Sequence, residues 1–291
     1  MTKHQNSRAA GLSRREAMHF GAGALVGATA ALAGGGARTS LSAQGAPAPV
    51  VPTPPPAPDP RYAMPPSWNR ELRQLAPNVY AYMQGGGPGL SAAGVSNAGM
   101  IAGPDFLVAI DALQGPLPAR GFIASAKKAT GKDFGRLILT HHHGDHVNGN
   151  QFFSHVEILS HPYCKSEVMK AAPIAPKMWN PTPGVADAAE ERKLVPPTVT
   201  FTDDLVYDIG ATQVQFRSVG PAHTWGDVVA YLPQHKIVFL GDVGFFWVAP
   251  YANNSWISRW LEICDRLIGM DADVYVPGHG PIGGKKERRM T

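Results

Sequence analysis

The densest concentration of metal-binding side chains in this 291-residue chain is Thr140-His141-His142-His143-Gly144-Asp145-His146. It follows Arg136–Thr140, a short apolar run with the profile of a buried strand. Side chains alternate along a strand, so at its end His141 and His143 are expected to point one way and His142 the other. Asp145 and His146 then fall on the turn that leaves the strand. Two imidazoles are thereby offered to one ion, and a carboxylate with an imidazole to a neighbour. Neutral imidazole combined with carboxylate suits zinc or iron and leaves open positions for water. Gly144 lets the backbone turn without a side chain blocking the site.

Three later segments carry isolated groups of the same kind. Gly220-Pro221-Ala222-His223-Thr224-Trp225-Gly226-Asp227 holds one histidine, Phe239-Leu240-Gly241-Asp242 one carboxylate, and Pro277-Gly278-His279-Gly280 another histidine. Alone, each has an ordinary reading as core, turn cap or loop. Together, in this order, the four segments resemble the metallo-β-lactamase superfamily, whose signature is His-x-His-x-Asp-His after a buried strand. The resemblance covers about residues 75–283.

What the resemblance implies is specific. The fold would be α/β, an αββα four-layer sandwich. His141, His143 and His223 would hold one metal, Asp145, His146 and His279 a second, and Asp242 would bridge them. The cofactor would be two zinc ions, with iron or manganese as the other candidates. Two cations a few ångströms apart lower the pKa of a shared water from 15.7 toward ~7, and the bridging hydroxide then attacks a carbonyl. Asp145 would orient that nucleophile and shuttle a proton to the leaving group. Asp111, ending a strand, is expected to orient a ligand histidine rather than bind metal, and Thr224 and Asp227 to do the same for His223. His155, His161 and His235 are read as structural.

The expected activity is hydrolysis of a carbonyl ester, thioester, lactone or lactam. Where the subclass of β-lactamases with a cysteine ligand carries that cysteine and, three residues later, a lysine, this chain has Asp242 and Phe245. That pattern is closer to the glyoxalase-II, lactonase and thioesterase branches. Phe245-Phe246-Trp247, with Tyr251, Asn253, Asn254 and Trp256 and the Gly85–Gly94 loop, could roof the metals with an aromatic wall. Three alternatives stay open: a β-lactamase proper, a mononuclear iron persulfide dioxygenase, and an inactive periplasmic metal-binding protein. Members of the superfamily commonly continue past Gly-His-Gly with another helix, whereas this sequence stops at Thr291; truncation and a partner that covers the bare sheet surface are the two readings.

The elements that must position these groups follow from pattern. Asn78–Gln84, Asn97–Ala102 and Phe106–Asp111 read as strands, the last two joined by a Gly103-Pro104-Asp105 turn. Pro116–Thr130 has helical spacing. The second half offers strands at Val156–Ser160, Leu205–Ile209, Thr212–Val219, Val228–Leu232, Ile237–Leu240 and Val274–Val276. Lys165–Ala172 and Ser255–Ile268 read as helices, and Pro173–Pro197 is a Pro-rich excursion. Two β-rich halves, each ending in helix, suggest two sheets packed face to face with helices outside.

Composition limits the partners. Residues 1–46 carry Lys3, Arg8, Arg14, Arg15 and Arg38 against Glu16, a net +4 that equals the charge of the whole chain. The body is therefore neutral, and no nucleic-acid footprint is expected. The anticipated partner is a small-molecule substrate; oligomeric state is not legible. Ser13-Arg14-Arg15-Glu16-Ala17-Met18 resembles a twin-arginine export signal, with Ala31-Leu32-Ala33 as a cleavage site. The apolar run Phe20–Ala33 falls short of the ~20 residues of a spanning helix, so no stable membrane anchor is expected. The expected organisation is a signal over 1–43, a Pro/Ala-rich linker over 44–66 and a catalytic domain over 67–291, located in the periplasm or secreted. Cys164 and Cys264 fit no zinc ribbon or redox pair.

Overall fold

The computed structural model describes residues 66–87, 96–171 and 193–284. The segment read as an export signal, nearly all of the expected linker, most of the Pro-rich excursion and residues 88–95 of the Gly-rich segment lie outside the described residues. No described helix is long and apolar enough to cross a membrane.

Two sheets build the fold. The first has seven strands in sequence order: β1 (Glu71–Ala76), β2 (Val79–Met83), β3 (Ala98–Ala102), β4 (Leu107–Ile110), β5 (Phe134–Ile138), β6 (Glu157–Ser160) and β7 (Val199–Thr200). The second has five: β8 (Leu205–Ile209), β9 (Thr212–Ser218), β10 (Val228–Leu232), β11 (Ile237–Phe245) and β12 (Val274–His279). Among the described residues four α-helices accompany them, α1 (Pro116–Thr130), α2 (Gly144–Val147), α3 (Pro162–Ala171) and α4 (Ile257–Ile268).

Strand alternation sorts the apolar residues into layers. In β2, Val79, Ala81 and Met83 face the second sheet and pack with Val214, Phe216, Ala230 and Phe239. Tyr82 faces the other way, onto Phe122 of α1. In β10 and β11, Val229 and Val238 face outward onto Trp260, Ile263 and Leu267 of α4. The order is thus helix, sheet, sheet, helix, as the resemblance implied. α1 begins with Pro116 at its first turn, where no N–H is needed, and stops at Gly131, whose φ of 73° few other residues adopt cheaply.

Several elements differ from the sequence expectation. β1 was not anticipated, because Glu71-Leu72-Arg73-Gln74-Leu75-Ala76 buries neither face fully and carries no clean alternation. β5 ends at Ile138, two residues earlier than expected, and His141 and His143 lie beyond the strand. Strand alternation is therefore not what separates His142 from its neighbours. β11 and β12 run on to Phe245 and His279, so Asp242 and His279 sit within strands.

Candidate metal centre

Asp111 organises the segment that follows β5. It closes β4 with φ 64°, a left-handed conformation that aspartate tolerates better than most residues. The turn aims its carboxylate across the neighbouring parallel strand. Thr140 donates to it twice, from N to Oδ1 at 2.8 Å and from Oγ1 to Oδ2 at 2.7 Å. His146 donates from Nδ1 to Oδ2 at 2.8 Å. The proton of His146 is thereby held on Nδ1, and Nε2 is left to face inward. Asp111 thus contacts His146 at the nitrogen that faces away from the cluster.

The rest of the cluster is built on that anchor. His141 sets Nδ1 against Thr140 Oγ1 at 3.1 Å and turns Nε2 inward. His143 caps α2 with extended backbone, and its carbonyl accepts from the N–H groups of His146 and Val147. His142 turns away, its ring edge-on to Tyr163 at 5.7 Å, and burial lowers its pKa to about 4. His223 comes from the turn between β9 and β10. Asp227 ties that turn by accepting from Thr224 N and Oγ1 at 2.8 and 2.6 Å. Burial nevertheless raises the Asp227 carboxyl to about 7.

Asp242 and His279 arrive from paired strands. β11 and β12 run parallel with Gly241 opposite Pro277 and Phe245 opposite His279. The Phe245 ring stacks on His279 at 5.0 Å, 2° from parallel. Two glycines make room. A Cβ on Gly278 would lie 1.9 Å from Asp242 Oδ1, and one on Gly241 2.7 Å from Thr140 Cβ. Asn97, which the sequence reading did not single out, donates from Nδ2 to the carbonyls of Pro277 and Gly280, bracketing His279. An asparagine at a strand start gave no signal of that role.

All seven predicted ligands converge. One atom each from His141, His143, His223 and Asp242 lies within 4.8 Å of the others, and Asp145, His146 and His279 form a second such group. Asp242 reaches both. Its Oδ2 is 3.3 Å from His223 Nε2 and 3.2 Å from His279 Nε2, and its Oδ1 is 3.0 Å from His146 Nε2. Asp145 Oδ2 lies 3.1 Å from His279 Nε2. His141 Nε2, His146 Nε2 and Asp242 Oδ1 are buried, and their close approaches to one another make no well-aligned hydrogen bond. Buried polar atoms are normally paired, so inward-facing donors of this kind fit a divalent cation.

Electrostatics agree. Burial pushes the Asp242 carboxyl up, but His279, His146 and His141 hold it well below the usual range. Burial pushes His279 down, and Asp242 with Asp145 carries it to about 10. His146 is raised well above its ordinary value by Asp242, Asp145 and Asp111, against burial. His141 falls well below through burial and the neighbouring His146, and burial takes His223 to about 4. Without a cation the carboxylates hold protons on His146 and His279, which a bound metal would have to displace.

His235 meets Thr212 Oγ1 at 3.1 Å, and His161 Nδ1 accepts from Tyr163 N; neither joins the cluster. The aromatic segment divides. Phe246 is buried core, and Trp260 packs edge-on behind His223 at 5.2 Å. Trp256 is half exposed and pairs with Trp225 at 5.3 Å. Tyr251 stands edge-on to His143 at 5.6 Å. Cys164 and Cys264 are free thiols.

Residues 92–279 match the model of the metallo-beta-lactamase superfamily, and the chain belongs to that family. It is 25% identical over 223 residues to a linear primary-alkylsulfatase of a Pseudomonas species, covering 65% of this chain and 42% of the relative. It is 34% identical over 128 residues to a hydroxyacylglutathione hydrolase of Brucella anthropi, covering 44% and 40%. A 2,4-dinitroanisole O-demethylase subunit alpha of a Nocardioides species is 28% identical over 198 residues, covering 64% of this chain and 53% of the subunit. The chain thus spans about half the length, or less, of these curated relatives. Solved structures share the fold. A metallo-beta-lactamase from Pontibacter korlensis superposes with TM-score 0.59 at 22% identity, over 75% of this chain and 95% of that one. A family protein from Thermus thermophilus gives 0.59 at 19%, over 75% and 79%.

Proposed function

We propose that this chain is a hydrolase that uses two divalent metal ions, zinc foremost, to cleave a carbonyl ester, thioester, lactone or lactam. The observation that carries the reading is the pair of ligand groups within 4.8 Å, with Asp242 in reach of both. His141, His143 and His223 would hold one ion, Asp145, His146 and His279 the other. The Asp242 carboxylate between them would offset the repulsion of two dications. Bound there, the metals supply an activated water and polarise the bond under attack.

The chain's own residues do the rest. Asp145 is the less buried of the two cluster carboxylates, its side chain 20% exposed against 3% for Asp242. Burial pushes it up, but His146 and His279 keep its pKa below the ordinary value, so it is ionised at neutral pH. It can accept a proton from the attacking water and return it to the leaving group. Tyr251 beside His143, with the exposed Trp225–Trp256 pair, offers an apolar approach for the substrate. Asp242 and Phe245 stand where one subclass of the superfamily's β-lactamases carries cysteine and lysine, which favours esters and thioesters over lactams.

Metal analysis of the purified full chain, alongside turnover of a panel of carboxylic esters, thioesters, lactones, a chromogenic cephalosporin and an alkyl sulfate ester, tests this. The expected result is about two zinc per chain and turnover that ethylenediaminetetraacetate abolishes. One iron per chain with consumption of a persulfide would replace the hydrolase by a dioxygenase. Absence of both metal and turnover would leave a scaffold. Export through the twin-arginine route is proposed from Arg14-Arg15. Cell fractionation tests it, with Lys-Lys at those positions expected to retain the protein in the cytoplasm.

A further inference from the structure

We infer that Asn254 is a positioning residue for the cluster: it sets the tautomer of His143, so that the nitrogen facing His223 and Asp242 is the one without a proton. The inference rests on the proposed metal-binding role of His143.

Three imidazoles of the cluster show what fixes the other ring nitrogen. His141 has Thr140 Oγ1 and His146 has Asp111 Oδ2, both from the first sheet and its connections. His143 is turned the other way round, with Nδ1 inward, 2.9 Å from His223 Nε2. Its outward Nε2 lies 3.0 Å from Asn254 Oδ1, on the connection between β11 and α4. An amide oxygen only accepts, so His143 Nε2 must carry the proton. A neutral imidazole protonated on Nε2 presents a lone pair on Nδ1, the form a cation requires.

The placement of Asn254 is itself fixed. The β11–α4 connection is fastened at both ends to ligand-bearing backbone. Phe246 N donates to the carbonyl of His279 at 3.0 Å, and Trp256 N to that of Ala222 at 2.9 Å. Ser255 donates from Oγ to the Ala252 carbonyl, tightening the turn that presents Asn254. Tyr251, from the same turn, meets the His143 ring edge-on. His143 is thus held by a side chain from the second sheet, although it follows a strand of the first.

The test uses the full chain with metal removed and histidine nitrogens labelled. At a pH where His143 is neutral, wild type should show a single tautomer with the proton on Nε2. Asn254→Leu should show a mixture. In chelator competition, Asn254→Leu should weaken the first bound zinc about tenfold, while Asn254→Asp, which keeps an accepting oxygen, should restore it. A wild-type tautomer and affinity in Asn254→Leu would overturn the inference. So would a loss that Asn254→Asp does not recover, since that would assign the effect to packing of the turn. If wild type binds no cation at all, the proposed function fails, and the tautomer measurement still decides the role of Asn254.

Discussion

Replacing Asp111 by asparagine is a nearly isosteric change with a calculable effect. The carboxylate is buried, 2% exposed, and accepts three hydrogen bonds, two of them on Oδ2. With the amide oxygen still facing Thr140 N, the new NH2 group faces Thr140 Oγ1 and His146 Nδ1. The threonine hydroxyl can rotate and accept. His146 can accept only by giving up its Nδ1 proton and carrying one on Nε2, inside the cluster. A hydrogen bond to a buried charged group contributes about 1.5–3 kcal/mol, so losing one and weakening another costs roughly 2–4 kcal/mol in the metal-free protein. For a domain of this size that lowers Tm by about 5–15 °C. The metal held by His146 should weaken about 10–100-fold, while the one held by His141, His143 and His223 keeps its affinity. Calorimetric zinc titration with parallel thermal melts reads both. Two binding steps of wild-type affinity in the variant would refute the claim that Asp111 governs the His146 tautomer.

Three other outcomes are expected. His143→Ala should lose at least one metal equivalent and lower turnover by several orders of magnitude, while His142→Ala, whose ring leaves toward Tyr163, should keep its metal; equal losses in elemental analysis would contradict this assignment. Gly278→Ala places a Cβ 1.9 Å from Asp242 Oδ1 and 2.8 Å from the carbonyl carbon of Gly241, so it should cost about 1–3 kcal/mol in denaturant titrations and reduce bound metal. The pH dependence follows from His279. Its folded value of about 10 lies above its ordinary 6.5, so its contribution to metal-free stability is full below about 6.5 and is lost as pH rises through 10. A cation must displace that proton, so zinc affinity should climb by up to about tenfold per pH unit between 7 and 9, with proton release measurable in buffers of different ionisation enthalpy. A flat profile would show that His279 carries no proton to displace.

Most of the convergent His/Asp cluster was readable because its residues are chemically conspicuous and close in sequence. The His/Asp cluster beside an apolar run named four positions, and the order of three later motifs named the rest. The assumed positioning device was wrong, since β5 stops at Ile138 and the turn geometry of Asp111 sets the ligands instead. A left-handed φ at Asp111 leaves no trace in hydrophobic periodicity. Partners such as Asn97 and Asn254 are remote in sequence from the groups they hold, and single asparagines in loops have many ordinary uses. The sandwich was legible from two β-rich halves that each end in helix, with apolar strands such as β10, whereas β1, with both faces part-exposed, shows no such pattern.

The register of β11 and β12 has a consequence for how this site could diversify. Asp242 and His279 are neighbours because their strands pair in parallel, Gly241 opposite Pro277 and Phe245 opposite His279. Residues 247–256 of the chain joining those strands reach back to the cluster through Tyr251 and Asn254. This ten-residue stretch is therefore a natural cassette. Libraries confined to it, keeping Asn254 and leaving Trp260 behind His223 untouched, can vary what meets the substrate while every proposed ligand stays on its original backbone. Selectivity and metal retention thus become separable traits, and directed evolution can pursue the first with little risk to the second.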